Sequence, residues 1–116
     1  MRTARRWSFV LALACFSSAL PLQANQLKVG ISGSAPFVIK SGDHTSGISL
    51  EIWRRVAEDN NLSYDLIPQP TPKAGIEAVD EGSIDVLVGP ISITSRRLAI
   101  AGIDFTQPYF LSKEGI

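Results

Sequence analysis

From Leu27 to Val88 the apolar positions change period four times. Leu27-Lys28-Val29-Gly30-Ile31 alternates and is rich in branched residues, as a half-buried strand requires, and Ser32-Gly33-Ser34-Ala35-Pro36 breaks it with loop chemistry. Phe37-Val38-Ile39 predicts a short extended piece, followed by a polar turn over Lys40 to Gly47. From Ile48 to Asn60 the residues Ile52, Trp53, Val56 and Ala57 recur at helical spacing, opposite Glu51, Arg54, Arg55, Glu58 and Asp59. Alternation returns over Ser63 to Ile67 and stops at Pro68-Gln69-Pro70. Thr71-Pro72 then reads as an N-cap with proline at the first helical position, and Gly82 closes a short helix over about Pro72 to Glu81. Ile84 to Val88 is a nearly continuous apolar run between glycines, the pattern of a strand buried on both faces and the expected sheet centre.

Strand, helix, strand, helix, strand in this order predicts an α/β fold: an open, mainly parallel sheet with flanking helices. Such sheets bind ligands in the loops beyond the carboxyl ends of their strands, here Ser32 to Phe37, Pro68 to Thr71 and Gly89 to Arg97. At 116 residues, 45% hydrophobic and 19% charged, the chain has the composition of one small globular domain. Eleven basic residues balance eleven acidic ones, so the basic footprint of a nucleic-acid binder is missing. One Cys and one His are too few for the usual zinc ligand sets or for an intrachain disulfide, and no cofactor is implied.

The first residues follow different rules. Arg2, Arg5 and Arg6 precede an uncharged, largely apolar run from Trp7 to Leu20, and Pro21-Leu22-Gln23-Ala24 ends in a small residue. This is the layout of a secretory signal peptide over 1–24, cut after Ala24, with the exported domain from 25 to 116. Its apolar run is short of the roughly 20 residues that span a bilayer, and Cys15 is expected to be an ordinary apolar-region cysteine. Removing three Arg and no acid leaves eight basic and eleven acidic residues, a net charge of −3.

The strongest chemistry lies in Gly89-Pro90-Ile91-Ser92-Ile93-Thr94-Ser95-Arg96-Arg97. Thr94 is placed to cap a short helix from Ser95 to about Ile100, whose free N–H groups favour an anion. A Ser92 hydroxyl and an Arg able to grip a carboxylate with two parallel bonds complete a plausible carboxylate trap. Elsewhere, His44 falls in a polar turn without a partner, Trp53 belongs to the apolar helix face, and Asp85 suits aligning or capping a turn better than acid–base work.

Five separated segments resemble the first lobe of the type 2 periplasmic solute-binding proteins, the bacterial extracellular solute-binding family 3. They are Val29-Gly30 with Ala35-Pro36-Phe37, Gly47-Ile48-Ser49-Leu50-Glu51-Ile52-Trp53, Gly82-Ser83-Ile84-Asp85-Val86, Ser92-Ile93-Thr94-Ser95-Arg96-Arg97, and Asp104-Phe105-Thr106-Gln107-Pro108-Tyr109. That family shares its core with ionotropic glutamate receptors. The resemblance implies that Arg97 binds the α-carboxylate of an amino acid, that Ser92 assists, and that the Pro90 carbonyl accepts from the α-amino group. It also implies that Phe37 packs on the ligand, that Thr94 belongs to the binding motif, and that Arg96 is a solvated neighbour.

Two departures stand out: Ile48 occupies the place of a ligand-covering Tyr in animal receptors, and Ser92 replaces the commoner Thr. The implied role is amino-acid capture for an ABC-type uptake system with a membrane permease as partner. The stretch Leu98 to Ile103, similar to cyanobacterial glutamate receptors, keeps the ligand-binding core of a prokaryotic glutamate-gated channel or other transmembrane receptor as the alternative. An enzyme on this fold would need a catalytic acid that these residues do not show. Tyr109 to Ile116 resembles the first hinge strand leaving lobe one, and lobe two, which would choose among amino acids, is expected to lie outside these 116 residues.

Overall fold

The computed structural model describes residues 26–112. The expected signal peptide therefore lies outside the described residues. A parallel three-stranded sheet carries the architecture, built from β1 (Leu27–Ile31), β4 (Tyr64–Pro68) and β5 (Val86–Val88) in the order β4-β1-β5. Leu27 pairs with Tyr64 and Ile31 with Pro68 on one side, and Val29 to Ile31 pair with Val86 to Val88 on the other. A small antiparallel hairpin of β2 (Ile39–Ser41) and β3 (His44–Ser46) stands beside the sheet. The polar stretch read as a simple turn thus forms an exposed strand β2 and a partly exposed β3, with the turn confined to Gly42-Asp43 and His44 on the surface.

The helices cover opposite faces. Helix α1 (Ile48–Asp59) lays Leu50, Trp53 and Ala57 on Val29 and Ile31, with Val86 and Val88 packed against the same side. Val56, expected on this stripe, is 43% exposed, while Ser49 and Leu50 are buried in its stead, so the stripe is rotated toward the helix N-terminus. Helix α2 (Pro72–Asp80) meets the other face through Gly75, where an added Cβ would run into the methyls of Leu87. Gly30 admits Ile84 and Leu87 on that face for the same reason. The expected caps form: the Thr71 hydroxyl accepts from the Ala74 N–H at 3.0 Å, and Gly82 follows α2 at φ +78°.

The sheet centre differs from the sequence expectation. β1, not the apolar run before Gly89, lies in the middle, and Val86, Leu87 and Val88 are only half-buried on an outer strand. Ile84 drives the misreading: it is 3% exposed, yet it packs from the turn before β5 and does not extend the strand. Asp85 aligns that turn as expected. Its carboxylate accepts from the Lys28 N–H at 2.8 Å while its own N–H donates to the Lys28 carbonyl at 2.8 Å.

Candidate functional site

The carboxyl ends of β1 and β5 lie side by side, so the loops that follow them share one end of the sheet. Ser32 donates its N–H to the Val88 carbonyl, continuing the ladder by one bond beyond the strands. At that point the backbones approach so closely that a Cβ on Gly89 would collide with the Ser32 carbonyl. The loop after β1 is held by the N-terminus of α1. No side chain caps that helix; the Ile48 and Ser49 N–H groups donate to the carbonyls of Pro36 and Phe37 at 3.1 and 3.0 Å. Gly47, at φ +114°, permits this because a Cβ there would strike the Phe37 carbonyl.

Arg97 is fixed at both ends. Its backbone N–H is capped by the Thr94 hydroxyl at 3.3 Å, and its Nη1 donates to the Ser92 carbonyl at 2.8 Å. Helix α3 (Ser95–Leu98) is one turn long and ends before the expected Ile100, so its dipole adds little and the guanidinium is the principal cation of the loop. Arg97 is half-buried, whereas Arg96 is exposed. Ser92 and Pro90 are exposed and line an open cleft of about 690 Å³ together with Phe37, Trp53, Val86 and Phe105. Arg97 and Thr94 stand outside the wall of that cleft. Pro90, Ser92, Thr94 and Arg97 thus share one loop, and of the predicted site residues only Phe37, Pro90 and Ser92 line the cleft.

Sequence reasoning missed Tyr109. Its hydroxyl donates to the Gly89 carbonyl at 2.7 Å and lies 2.7 Å from the Ser49 Oγ. Next to it the Phe110 ring stands edge-on to Phe37, with centroids 4.9 Å apart. The segment Tyr109 to Ser112, expected to open a hinge strand, is irregular and lines the cleft. Asp104 acts locally, its Oδ1 accepting from the Phe105 N–H at 2.8 Å. No helix of the described residues is long and apolar enough to cross a membrane.

An open parallel sheet with helices on both faces places the loops beyond the carboxyl ends of its strands where such folds bind ligands. The model of the bacterial extracellular solute-binding proteins, family 3, matches residues 27–116, and the chain belongs to this family. Its fold is the first lobe of the two-lobe type 2 periplasmic binding protein architecture. Among solved structures it is similar to the GluR0 ligand-binding core in complex with L-glutamate, at 50% identity and a TM-score of 0.71, over 76% of this chain and 39% of that one. It is also similar to an ancestral cyclohexadienyl dehydratase, at 23% identity and a TM-score of 0.63, over 73% of this chain and 35% of that one. The AvGluR1 ligand-binding domain with glutamate follows at 23% identity and a TM-score of 0.59, over 65% of this chain and 34% of that one. The chain thus spans about two fifths of the length of the GluR0 core, or 39%.

Proposed function

We propose that this protein is an exported amino-acid-binding protein whose signal peptide, residues 1–24, is removed before residues 25–116 fold as its first lobe. Arg97 takes the ligand's α-carboxylate, the Ser92 hydroxyl assists, and the Pro90 carbonyl accepts from the α-amino group. Phe37 forms an apolar wall, and Thr94 acts by capping the turn that carries Arg97. The observation that carries this reading is the loop Pro90 to Arg97, where the half-buried Arg97 has its backbone N–H capped by Thr94 and its guanidinium held by the Ser92 carbonyl, beside an exposed hydroxyl. An Arg so anchored is oriented before the ligand arrives, which lowers the entropy lost on binding a carboxylate. The role is binding, not catalysis.

For the use made of the bound state, delivery to an ABC-type permease is one outlet. The 50% identity with the GluR0 core supports the other, the ligand-binding core of a prokaryotic glutamate-gated channel. Titration calorimetry of the full natural protein with L-glutamate and a panel of other amino acids tests the site. Arg97→Ala should weaken binding by about 100-fold or more, the loss of a charge-assisted pair at roughly 3 kcal/mol. Equal binding by the variant, or no amino acid bound by the wild type, would overturn the reading. Extraction of the natural protein from its membranes only by detergent would select the channel, and release on osmotic shock the uptake system.

A further inference from the structure

The Tyr109 hydroxyl is where three separated parts of the binding end meet. A phenol carries one hydrogen, and it is given to the Gly89 carbonyl at 2.7 Å. The Ser49 hydroxyl at 2.7 Å must therefore be the donor to Tyr109, so the bonds run in one direction from Ser49 through Tyr109 to Gly89. Ser49 is 1% exposed in the first turn of α1, and its N–H grips the Phe37 carbonyl. Gly89 directly precedes Pro90, and its carbonyl also accepts from the Ile91 N–H at 2.8 Å. One hydroxyl thus couples the loop bearing Phe37 to the loop bearing Pro90 and Ser92, across sequence separations of 60 and 20 residues.

We infer that Tyr109 is a positioning residue for the ligand site: it sets the orientation of the Gly89–Ser92 backbone, and with it the Pro90 carbonyl and Ser92 hydroxyl, relative to Phe37. The effect on ligand affinity rests on the amino-acid-binding reading; the effect on the loop does not. Tyr109 lies beyond β5 on the segment that leaves the sheet, and is itself 43% exposed, so it adds little to the core. Its partners are what it orders. Removing the hydroxyl leaves the Gly89 carbonyl with the Ile91 N–H alone and the Ser49 hydroxyl without its acceptor.

The test is Tyr109→Phe, which keeps the ring, in the full natural protein. Two readouts are used: the affinity for L-glutamate by calorimetry, and hydrogen exchange of the Ile91 amide, which donates to the Gly89 carbonyl, without ligand. The expected result is a weakening of glutamate binding by about three- to tenfold, the range for one lost hydrogen bond in a preorganised site, with faster exchange at the Ile91 amide. Ser49→Ala should weaken binding to a similar degree, and the double variant should be no worse than the poorer single one, since the bonds act in series. Unchanged affinity and exchange in Tyr109→Phe overturn the inference, as does a fall in melting temperature with both readouts unmoved. If wild type binds no glutamate, the functional reading fails, and the exchange rates alone decide the role of Tyr109. If Tyr109→Phe does not fold, the same measurements on Ser49→Ala decide it.

Discussion

Thr94 caps the backbone N–H of the very residue whose side chain returns to bond the same loop, Arg97. One hydroxyl therefore fixes the start of a one-turn helix and the root of its cation. In a helix of four residues the cap is a large share of what holds the turn. Thr94→Ala should weaken ligand binding about fivefold, equivalent to roughly 1 kcal/mol of cap energy, while Thr94→Ser should restore most of it. Calorimetry on the pair checks this; equal loss in both variants would show that the methyl, not the hydroxyl, matters.

Asp85 and Lys28 exchange two hydrogen bonds at the entry of β5, one accepted by the Asp85 carboxylate and one donated by its backbone N–H. Asp85→Ala should lower stability by about 1 kcal/mol, because a sheet N–H loses its acceptor at an exposed site where water partly replaces it. Asp85→Asn keeps an amide oxygen and should recover about half. The urea midpoint measures both, and a midpoint unchanged in the alanine variant would refute the alignment role.

The elements whose signal is local were legible in the chain. Thr71 and Thr94 announce their helices because capping depends on residues two or three positions apart. The periods around Val29, Leu66 and Ala57 marked their elements to within one or two residues, since one face of each is buried. Strand order was not legible, because an apolar run such as Ile84 to Val88 cannot say whether its burial comes from neighbouring strands or from helices above and below. The β2–β3 hairpin is mostly polar, and its hints were Gly42-Asp43 and the extended piece expected over Phe37 to Ile39, of which only Ile39 joins β2 while Phe37 and Val38 turn. At the site, the Ser92-Thr94-Arg97 spacing was readable because one loop holds all three. Tyr109 was not, because its partners are 20 and 60 residues away.

Trp53 packs against Tyr64, with ring centroids 5.4 Å apart, yet its buried Nε1 has no hydrogen-bond partner among the described residues. An unpaired buried N–H opposes folding, so its removal offsets part of the lost ring area. Trp53→Phe should cost no more than about 1–2 kcal/mol, against about 2–5 kcal/mol for Leu50→Ala, which only opens a cavity. Denaturant unfolding of both variants tests the ranking, and a larger loss for Trp53→Phe would mean that the indole N–H is paired in solution.

Gly89 and Gly42 separate two reasons for glycine that a sequence alone does not distinguish. Gly42 sits at φ +59° in the exposed hairpin turn with no atom within 4 Å of an added Cβ, so only backbone preference resists substitution there. Gly89 is buried, and its added Cβ would overlap the Ser32 carbonyl, a main-chain atom held by the ladder between β1 and β5. Neither backbone can yield without breaking the Ser32 to Val88 bond and displacing the carbonyl that Tyr109 grips. Gly42→Ala should therefore lower stability by about 1 kcal/mol, whereas Gly89→Ala should lower it by about 3 kcal/mol or more and disturb ligand binding as well. Thermal unfolding of the two variants side by side gives the comparison. Similar losses would mean that the β1 and β5 ends stand farther apart than this geometry has them.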